Sequence, residues 1–305
     1  MGTSGHLKAG GVPVQESCSI VSKKLEVPGH YSIKFSTESI ARNAIPGQFV
    51  QIRLPDSGTF LPRPFSFLRS DSDSFEILFK VVGIGTKILS DLPVGTELNV
   101  IGPLGNGFDF SLTKSFSQIV FVAGGVGIPP LIHVGQKLRG SLKKTALIGA
   151  VSKDYLLFIN ELSELGWNVK IATDDGSHGH AGFITDLLEE IIDANCNNGV
   201  IEGDIEDKLD NKKRIMVLAC GPYQMLRKCA VLTTSNNVWC QVAMEQPMAC
   251  GFGVCLGCAL AVTIPTEDLM FNNSEKGEGR KENNSENYAL VCRDGPVFNA
   301  KYIKW

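Results

Sequence analysis

Four cysteines near the end of the chain have the spacing of an iron-sulfur site. Cys250, Cys255 and Cys258 form C-x4-C-x2-C, and Cys292 follows after residues 259 to 291. This spacing with a distant fourth cysteine is typical of a plant-type [2Fe-2S] cluster. The intervening glycines let the loop wrap closely and turn backbone N–H groups toward the sulfurs, as a negatively charged cluster requires. Zinc is the alternative, although zinc sites favour two C-x2-C pairs.

A second set of residues could hold the pyrophosphate of a dinucleotide. Arg63 begins the segment Arg63-Pro64-Phe65-Ser66, and an arginine beside a strand can pair with a phosphate through two parallel donors. Gly85 and Thr86 can offer an N–H and a hydroxyl to the other phosphate. Each piece taken alone is equally typical of an edge strand or a turn.

A glycine-rich segment, Ala123 to Pro130, follows an apolar run and precedes a stretch of helical periodicity. The pattern is not G-x-G-x-x-G, because Pro130 holds the last glycine position. Proline suits a first helical turn, and Gly125 with Gly127 would let a nicotinamide dinucleotide approach the helix N-terminus. The alternative is a tight strand-to-helix turn without a ligand.

Two later apolar runs end in residues that could contact the same nucleotide. One is followed by Asp174 and Asp175, and the other ends in Cys220. Ligands of doubly wound sheets lie at the carboxyl ends of the strands. The aspartates would repel a 2′-phosphate and could accept hydrogen bonds from ribose hydroxyls, which favours NADH over NADPH. Cys220 either lies beside the nicotinamide or completes a buried strand.

Two kinds of element must position these residues. Short strand-like runs bounded by turn residues predict a small antiparallel β-barrel. They lie at 47–54, 63–70, 74–82 and 96–104. From residue 118, apolar runs alternate with segments of helical periodicity, which predicts buried parallel strands in a doubly wound α/β domain.

The predicted fold class is therefore multidomain, β plus α/β, with a small cysteine-bearing unit at the end. We divide the chain into a barrel at 12–112, an α/β domain at 113–240 and a cluster-binding unit at 241–305. Polar, aperiodic segments at 195–213 and 271–287 are predicted to be surface insertions.

Composition narrows the functional class. The 305 residues are 43% hydrophobic and 20% charged with a net charge of -3, which is typical of a globular protein and argues against binding of a nucleic-acid backbone. No apolar stretch reaches the roughly 20 residues that a membrane-spanning helix needs. The odd count of nine cysteines and the absence of an export signal favour reduced thiols or metal ligands and a cytoplasmic location. Cys18, Cys196 and Cys229 are predicted to be packing residues or exposed thiols.

The chain resembles a known family. RPFSF, VVGIGT, TDDGS, EQPMACGFGVCLGC and VCRDGPVF are similar, in this order, to the electron-transfer subunit of class 1B dihydroorotate dehydrogenases, within the ferredoxin-reductase superfamily. The resemblance covers residues 14 to 300, and the cysteine segment is its most specific part. The two polar insertions are longer than the family pattern, so the distant Cys292 is the least secure of the ligands.

The resemblance implies the cofactors and their residues. It implies an FAD site at Arg63, Pro64, Phe65, Ser66, Leu78, Phe79, Lys80, Gly85 and Thr86. It implies a [2Fe-2S] cluster on Cys250, Cys255, Cys258 and Cys292. Gly125, Gly127, Asp174 and Cys220 remain the residues predicted for NAD from the motifs. No residue is predicted to be a proton-transfer base.

The resemblance also implies a role. The chain would relay electrons to NAD+ from the FMN of a catalytic partner subunit that oxidises dihydroorotate, in a heterotetramer of two copies of each subunit that serves pyrimidine (UMP) biosynthesis. A related small subunit of an NAD(P)H-dependent ferredoxin or sulfide oxidoreductase is the alternative within the superfamily. An oxygenase reductase with a full ferredoxin domain needs more residues than 241–305 provide. A non-enzymatic regulatory module that binds a metal through four cysteines is the alternative from another class.

Overall fold

The computed structural model describes residues 12–55, 60–111, 113–138, 142–197, 215–263 and 287–305. The two predicted insertions, 195–213 and 271–287, lie outside these residues except at their margins, and so does the side chain of Cys196.

Six antiparallel strands close a barrel in the order β1-β2-β5-β4-β3-β6. Its interior is filled by apolar side chains that alternate along the strands, including the fully buried Phe35, Phe67 and Phe75. Helix α1, Ile84–Asp91, packs on this core through Leu89. The strands are β1 (Val14–Val27), β2 (His30–Ser36), β3 (Phe49–Arg53), β4 (Arg63–Ser70), β5 (Ser74–Lys80) and β6 (Glu97–Leu104).

The second unit is a seven-stranded sheet in the order β10-β9-β8-β7-β11-β12-β15, parallel except for β15. Its central strands are apolar and buried throughout, as expected of strands covered on both faces. The strands are β7 (Gln118–Gly124), β8 (Lys143–Ala150), β9 (Asn168–Thr173), β10 (His180–Ala181), β11 (Ile215–Cys220), β12 (Trp239–Ala243) and β15 (Val297–Asn299).

Helices cover both faces of this sheet. Along β7, Val120 and Val122 face a core shared with α4 and α5, whereas Ile119 and Phe121 face a core shared with α2 and α3. The doubly wound arrangement predicted from the alternation of apolar runs is therefore confirmed. The helices are α2 (Pro129–Lys137), α3 (Ile159–Glu164), α4 (Ile184–Asn197) and α5 (Tyr223–Ser235).

One predicted helix is wrong in extent. The periodicity from Lys153 to Gly166 predicts one continuous helix, but a 3-10 turn at Lys153–Tyr155 precedes the short α3. Phe158 stands between them in the left-handed conformation, with a φ of 54°. The guanidinium carbon of Arg69, on the barrel, lies 5.1 Å from the centroid of the Phe158 ring. This tertiary contact overrides the local preference for a continuous helix.

The cysteine-bearing tail packs between the barrel and the sheet. Strands β13 (Ala259–Val262) and β14 (Asn287–Leu290) form an antiparallel pair, after which β15 joins the edge of the seven-stranded sheet. Phe49 on the barrel shares a core with Cys258 and with residues of the sheet. The division at 112/113 and 240/241 stays a prediction, and β12 crosses the second of these positions. Each helix in the described part of the chain is too short or too polar to cross a bilayer.

Candidate cofactor-binding sites

The pairing of β13 with β14 brings Cys258 and Cys292 together. Ala259 is the register partner of Leu290, so the residues that flank this end of the hairpin are neighbours despite their distance in sequence. The two Sγ atoms are 3.2 Å apart, and the backbone N–H of Cys292 donates to Sγ of Cys258 at 3.4 Å. Burial and the neighbouring Cys258 raise the pKa of Cys292 to about 12.

Cys250 and Cys255 lie on the preceding loop, which turns its backbone donors toward sulfur. The N–H of Cys255 donates to Sγ of Cys250, and the N–H of Gly257 donates to Sγ of Cys255, each at 3.5 Å. Burial opposes ionisation of Cys250, but N–H groups of Cys255 and Phe252 more than offset it and lower the pKa to about 6. The loop therefore favours the thiolate form of Cys250, the form that binds iron.

The four cysteines approach as two pairs. Among the described residues, no three or more His, Cys, Asp or Glu side chains converge so that they could hold one metal ion. Two sulfurs on a loop and two at the adjacent hairpin, three of which accept backbone N–H groups, are a donor set suited to the two irons of a [2Fe-2S] cluster. Arg293 follows the fourth cysteine, and its side chain lines Gly253 of the loop.

A cradle for an anion lies between the start of β4 and the start of α1. Nε and Nη2 of Arg63 would stand 3.0 and 3.3 Å from a Cβ at position 85, so glycine here lets the guanidinium lie close against the backbone. Nη1 of Arg63 donates to the carbonyl of Leu61 at 2.6 Å, which holds the side chain. A cation facing the N-terminal turn of a helix suits a phosphate group.

The other residues predicted for FAD differ in which of their atoms could contact a ligand. Oγ1 of Thr86 accepts the N–H groups of Val82 and Gly83 and donates to the Gly83 carbonyl, so this hydroxyl caps α1. Phe65 and Phe79 point into the barrel, where their rings are 5.7 Å apart. They can offer only backbone atoms to a ligand. Leu78 packs against the α/β core, while Pro64, Ser66 and Lys80 are partly or fully exposed.

Two of the residues predicted for NAD, Gly127 and Cys220, meet where the strand order reverses. Strands β7 and β11 are neighbours, and the chain leaves them toward opposite edges of the sheet. A Cβ at Gly127 would lie 2.2 Å from the carbonyl oxygen of Cys220, so the loops after the two strands are in close contact. This is the position at which open α/β sheets bind ligands. Burial and the nearby Glu245 raise the pKa of Cys220, so its thiol stays neutral.

Asp174 and Asp175 lie at the same edge, beyond β9. The N–H of Asp174 donates to the carbonyl of Ala150 at 3.1 Å, which ties this loop to β8. Hydrogen bonds from Ser177 hold the pKa of Asp175 below its ordinary value. Both side chains are exposed, and their carboxylates place negative charge at this edge of the sheet.

One residue beside the cysteine loop was not predicted from the sequence. Gln51 on β3 is 1% exposed, and neither atom of its side-chain amide has a partner among the described residues. It alternates with Val50 and Ile52, which are inside the barrel, so the pattern indicates an ordinary polar residue on a solvent face. Only the packing of the tail on this face buries it.

The relatives found by comparison with known proteins share one description. No protein-family model matches the chain. An electron transfer subunit of dihydroorotate dehydrogenase B (NAD(+)) from Caldanaerobacter subterraneus subsp. tengcongensis is 34% identical over 85% of this chain and 86% of its own length. Its counterpart from a Geobacillus strain is 31% identical over 94% of this chain and 97% of its own length.

Solved structures agree on the architecture. An NADH-dependent reduced ferredoxin-NADP oxidoreductase, studied for flavin-based electron bifurcation, superposes with a TM-score of 0.73 at 26% identity, over 94% of this chain and 90% of that one. The human Ncb5or CS-b5R domains superpose with a TM-score of 0.57 at 19% identity, over 75% and 70% of the two chains, and show the fold alone.

The closed barrel followed by a parallel nucleotide-binding sheet therefore defines a ferredoxin-reductase-like flavin oxidoreductase. Within that class, the identities over most of the chain decide the family. The chain belongs to the family of electron transfer subunits of NAD+-dependent dihydroorotate dehydrogenase B.

Proposed function

We propose that this chain passes electrons between the FMN of a dihydroorotate-oxidising partner and NAD+, through a [2Fe-2S] cluster and FAD, in the synthesis of UMP. The observation that carries the proposal is the arrangement of the four cysteines as two pairs, one on the loop and one at the adjacent hairpin, beside a barrel whose Arg63 faces Gly85. The family membership supports the same role.

The proposed FAD site uses the cradle for the pyrophosphate. Arg63 would bind one phosphate, and backbone N–H groups around Gly85 at the start of α1 would bind the other. The remaining contacts would come from Pro64, Phe65, Ser66, Leu78, Phe79, Lys80 and Thr86. FAD, when bound, supplies conversion between the two-electron chemistry of NADH and the one-electron chemistry of an iron-sulfur cluster.

The proposed cluster ligands are Cys250, Cys255, Cys258 and Cys292. The N–H groups aimed at their sulfurs would stabilise the negative charge of the bound cluster. The proposed nucleotide site lies at the reversal of strand order, where Gly125 and Gly127 admit the dinucleotide and Cys220 borders the nicotinamide. Asp174 would accept from the ribose hydroxyls and disfavour a 2′-phosphate.

The partner is proposed to be an FMN-containing catalytic subunit, in a cytoplasmic heterotetramer with two copies of each chain. Support comes from the cysteine loop itself, which exposes Phe252, Val254 and Leu256 by 50%, 74% and 63%. Neighbouring exposed apolar side chains mark interaction surfaces. A partner docked there would bring its own cofactor close to the cysteines.

Reconstitution with the catalytic subunit tests the proposal. The purified chain should contain iron, acid-labile sulfide and FAD, and should oxidise NADH with an artificial acceptor. Adding the FMN subunit should produce orotate from dihydroorotate with NAD+ as acceptor, and the chain carrying Val254→Asp should lose this coupled activity while it keeps the NADH activity. A colourless chain without iron or flavin would contradict the relay.

The likeness to an NADH-dependent reduced ferredoxin-NADP oxidoreductase favours a second candidate, a subunit that exchanges electrons with ferredoxin. The same preparation separates the two. Coupling to reduced ferredoxin, without orotate formation in the presence of the catalytic subunit, would favour this second role.

A further inference from the structure

The side chain of Gln51 is buried without a partner between the barrel and the cysteine loop. It is 1% exposed, and both Nε2 and Oε1 lack a hydrogen-bond partner in the described part of the chain. Buried amides in folded proteins are almost always paired, because an unpaired one forfeits its bonds to water. The exception points to a group that the polypeptide does not itself supply.

The geometry shows where such a group would lie. Val50 and Ile52 fill the barrel, so Gln51 projects from its outer face. A Cβ at Gly251 would stand 2.6 Å from Cγ and 2.7 Å from Nε2 of Gln51. Gly251 follows Cys250 directly and has a φ of +84°, so the loop can approach the amide only because it has glycine here.

The surroundings place the cysteine sulfurs on the side of the amide that faces Gly251. Phe49, on the same outer face of β3, packs in the apolar core that includes Cys258 and Cys292. Pro64, at the start of the segment predicted for FAD, is the cross-strand partner of Gln51, and such partners share a face. The amide therefore stands between the predicted flavin segment and the cysteines, in a region of low dielectric where a hydrogen bond is strong.

We propose that Gln51 is a positioning residue whose amide N–H donates a hydrogen bond to a sulfur of the cluster and thereby raises the reduction potential of the cluster. The inference rests on the proposed function, since it needs a cluster on Cys250 and its companions. A donor to sulfur stabilises the added negative charge of the reduced cluster, so its removal makes reduction harder.

The experiment compares the midpoint potential of the cluster in the full chain with that of two variants. Gln51→Met keeps the length of the side chain and removes the donor, and Gln51→Leu removes the donor with a different apolar shape and likewise adds no charge. Anaerobic titration followed by EPR of the reduced cluster should show a lower midpoint in both. At a fixed potential the ratio of reduced to oxidised cluster should fall about threefold to tenfold, where tenfold corresponds to ~59 mV for one electron.

Gln48→Met is the matched control. Gln48 is also buried and leads into β3, but its Oε1 accepts the N–H of Ile45 and its Nε2 donates to the carbonyl of Gly105. Because the nitrogen and the oxygen of this amide both have backbone partners, Gln48→Met should lower the melting temperature and leave the midpoint potential unchanged. An equal shift in the control would overturn the inference by showing a general effect of loosening the barrel.

A measurement on the unmutated chain covers the case in which the variants lose iron. With glutamine labelled by 15N in the side-chain amide, pulsed EPR of the reduced cluster should detect coupling to one nitrogen. A wild-type chain with a full cluster and no such coupling overturns the inference, as do Gln51 variants with wild-type midpoints. A wild-type chain without iron and sulfide instead contradicts the proposed function.

Discussion

At the scale of single residues, backbone donors lower the pKa of one loop cysteine, and burial raises the pKa of the cysteines in the α/β core. N–H groups of the loop lower the pKa of Cys250 to about 6. Burial in the α/β core raises the pKa of Cys240 to about 12, and it raises that of Cys229 well above the ordinary value. A cysteine buried in this core stays a neutral thiol near pH 7 and acts as a small apolar side chain.

The positions of Cys255 on the exposed loop and of Cys240 in the core predict different outcomes for two substitutions. Cys255→Ser should abolish cluster assembly and leave most of the FAD bound, because Cys255 lies on the exposed loop while the proposed phosphate cradle is at Arg63 and Gly85. Iron, sulfide and flavin analysis of the purified chain measures both. The control Cys240→Ala should keep iron and FAD and lower only the stability. Loss of FAD together with iron in Cys255→Ser would show that the loop shapes the flavin site.

The ionisation of Glu16 should make the stability of the barrel depend on pH. Burial opposes its ionisation, but hydrogen bonds from Thr37, Ser39 and the N–H of Ile40 more than offset this and hold the pKa below the ordinary value of 4.5. A depressed carboxyl pKa adds stability above the unfolded-state pKa, and this stability is lost as the pH falls through the folded-state pKa.

Glu16→Gln should therefore lower the free energy of unfolding by roughly 1 kcal/mol at pH 7, with a smaller difference near pH 3. Urea unfolding at the two pH values measures it. Glu38→Gln, at an exposed neighbouring position, should change neither value by a comparable amount. A deficit of equal size at both pH values would rule out the charge of Glu16 as its origin.

At the scale of elements, short strand-like runs were sufficient to predict four barrel strands, and continuous apolar runs were sufficient to predict four parallel strands of the sheet, β7, β8, β9 and β11. Helix α1 was not predicted, since its first residues, Gly83 to Thr86, are equally typical of a phosphate-binding turn. The break at Phe158 and the burial of Gln51 depend on residues from distant segments, Arg69 and Gly251. Local periodicity carries no information about such contacts.

The β13–β14 hairpin predicts that the intervening segment can be removed. Val262 and Asn287 are register partners, so the pairing, and not the connecting residues, sets the approach of Cys258 to Cys292. Replacing residues 264–286 with a short turn containing Asn-Gly should leave the iron content and visible spectrum of the chain unchanged, because shorter loops close at a lower entropic cost.

Loss of iron in this shortened chain would mean that residues of the segment take part in cluster binding. A matched control replaces residues 264–286 with a Gly/Ser sequence of the same length. The two variants together separate an effect of loop length from an effect of loop sequence.

At the scale of the whole molecule, function depends on how the barrel meets the α/β sheet, since the proposed FAD and NAD sites lie on different units. The interface is partly polar. Oγ of Ser70 on β4 lies 2.8 Å from Nε2 of the buried His133 on α2, and Nζ of Lys137 donates to the carbonyl of Ser70 at 3.2 Å. Burial lowers the pKa of His133 to about 3, so the ring is neutral and acts as a fixed hydrogen-bonding group.

Arg69 is the charged link across this interface. Its guanidinium pairs with Glu161 on α3 through two nitrogens and with Glu76 on β5, and all three side chains are largely buried. Arg69→Met would leave two carboxylates facing each other without a cation, at a cost of about 2 kcal/mol. We expect the melting temperature to fall by roughly 5 °C.

The same variant should raise the KM for NADH while the FAD content stays unchanged, because the proposed phosphate cradle lies within the barrel and the proposed nucleotide site does not. Steady-state kinetics with an artificial acceptor measures this. Lys87→Met, which breaks an exposed ion pair with Asp91 on α1, is the control and should change neither quantity.

The variant Arg69→Met with Glu161→Leu and Glu76→Leu should recover much of the stability, since no unpaired charge remains. If it recovers stability but not the KM, the ion pairs orient the two units; if Arg69→Met alone leaves the KM unchanged, the apolar interface is sufficient to orient them.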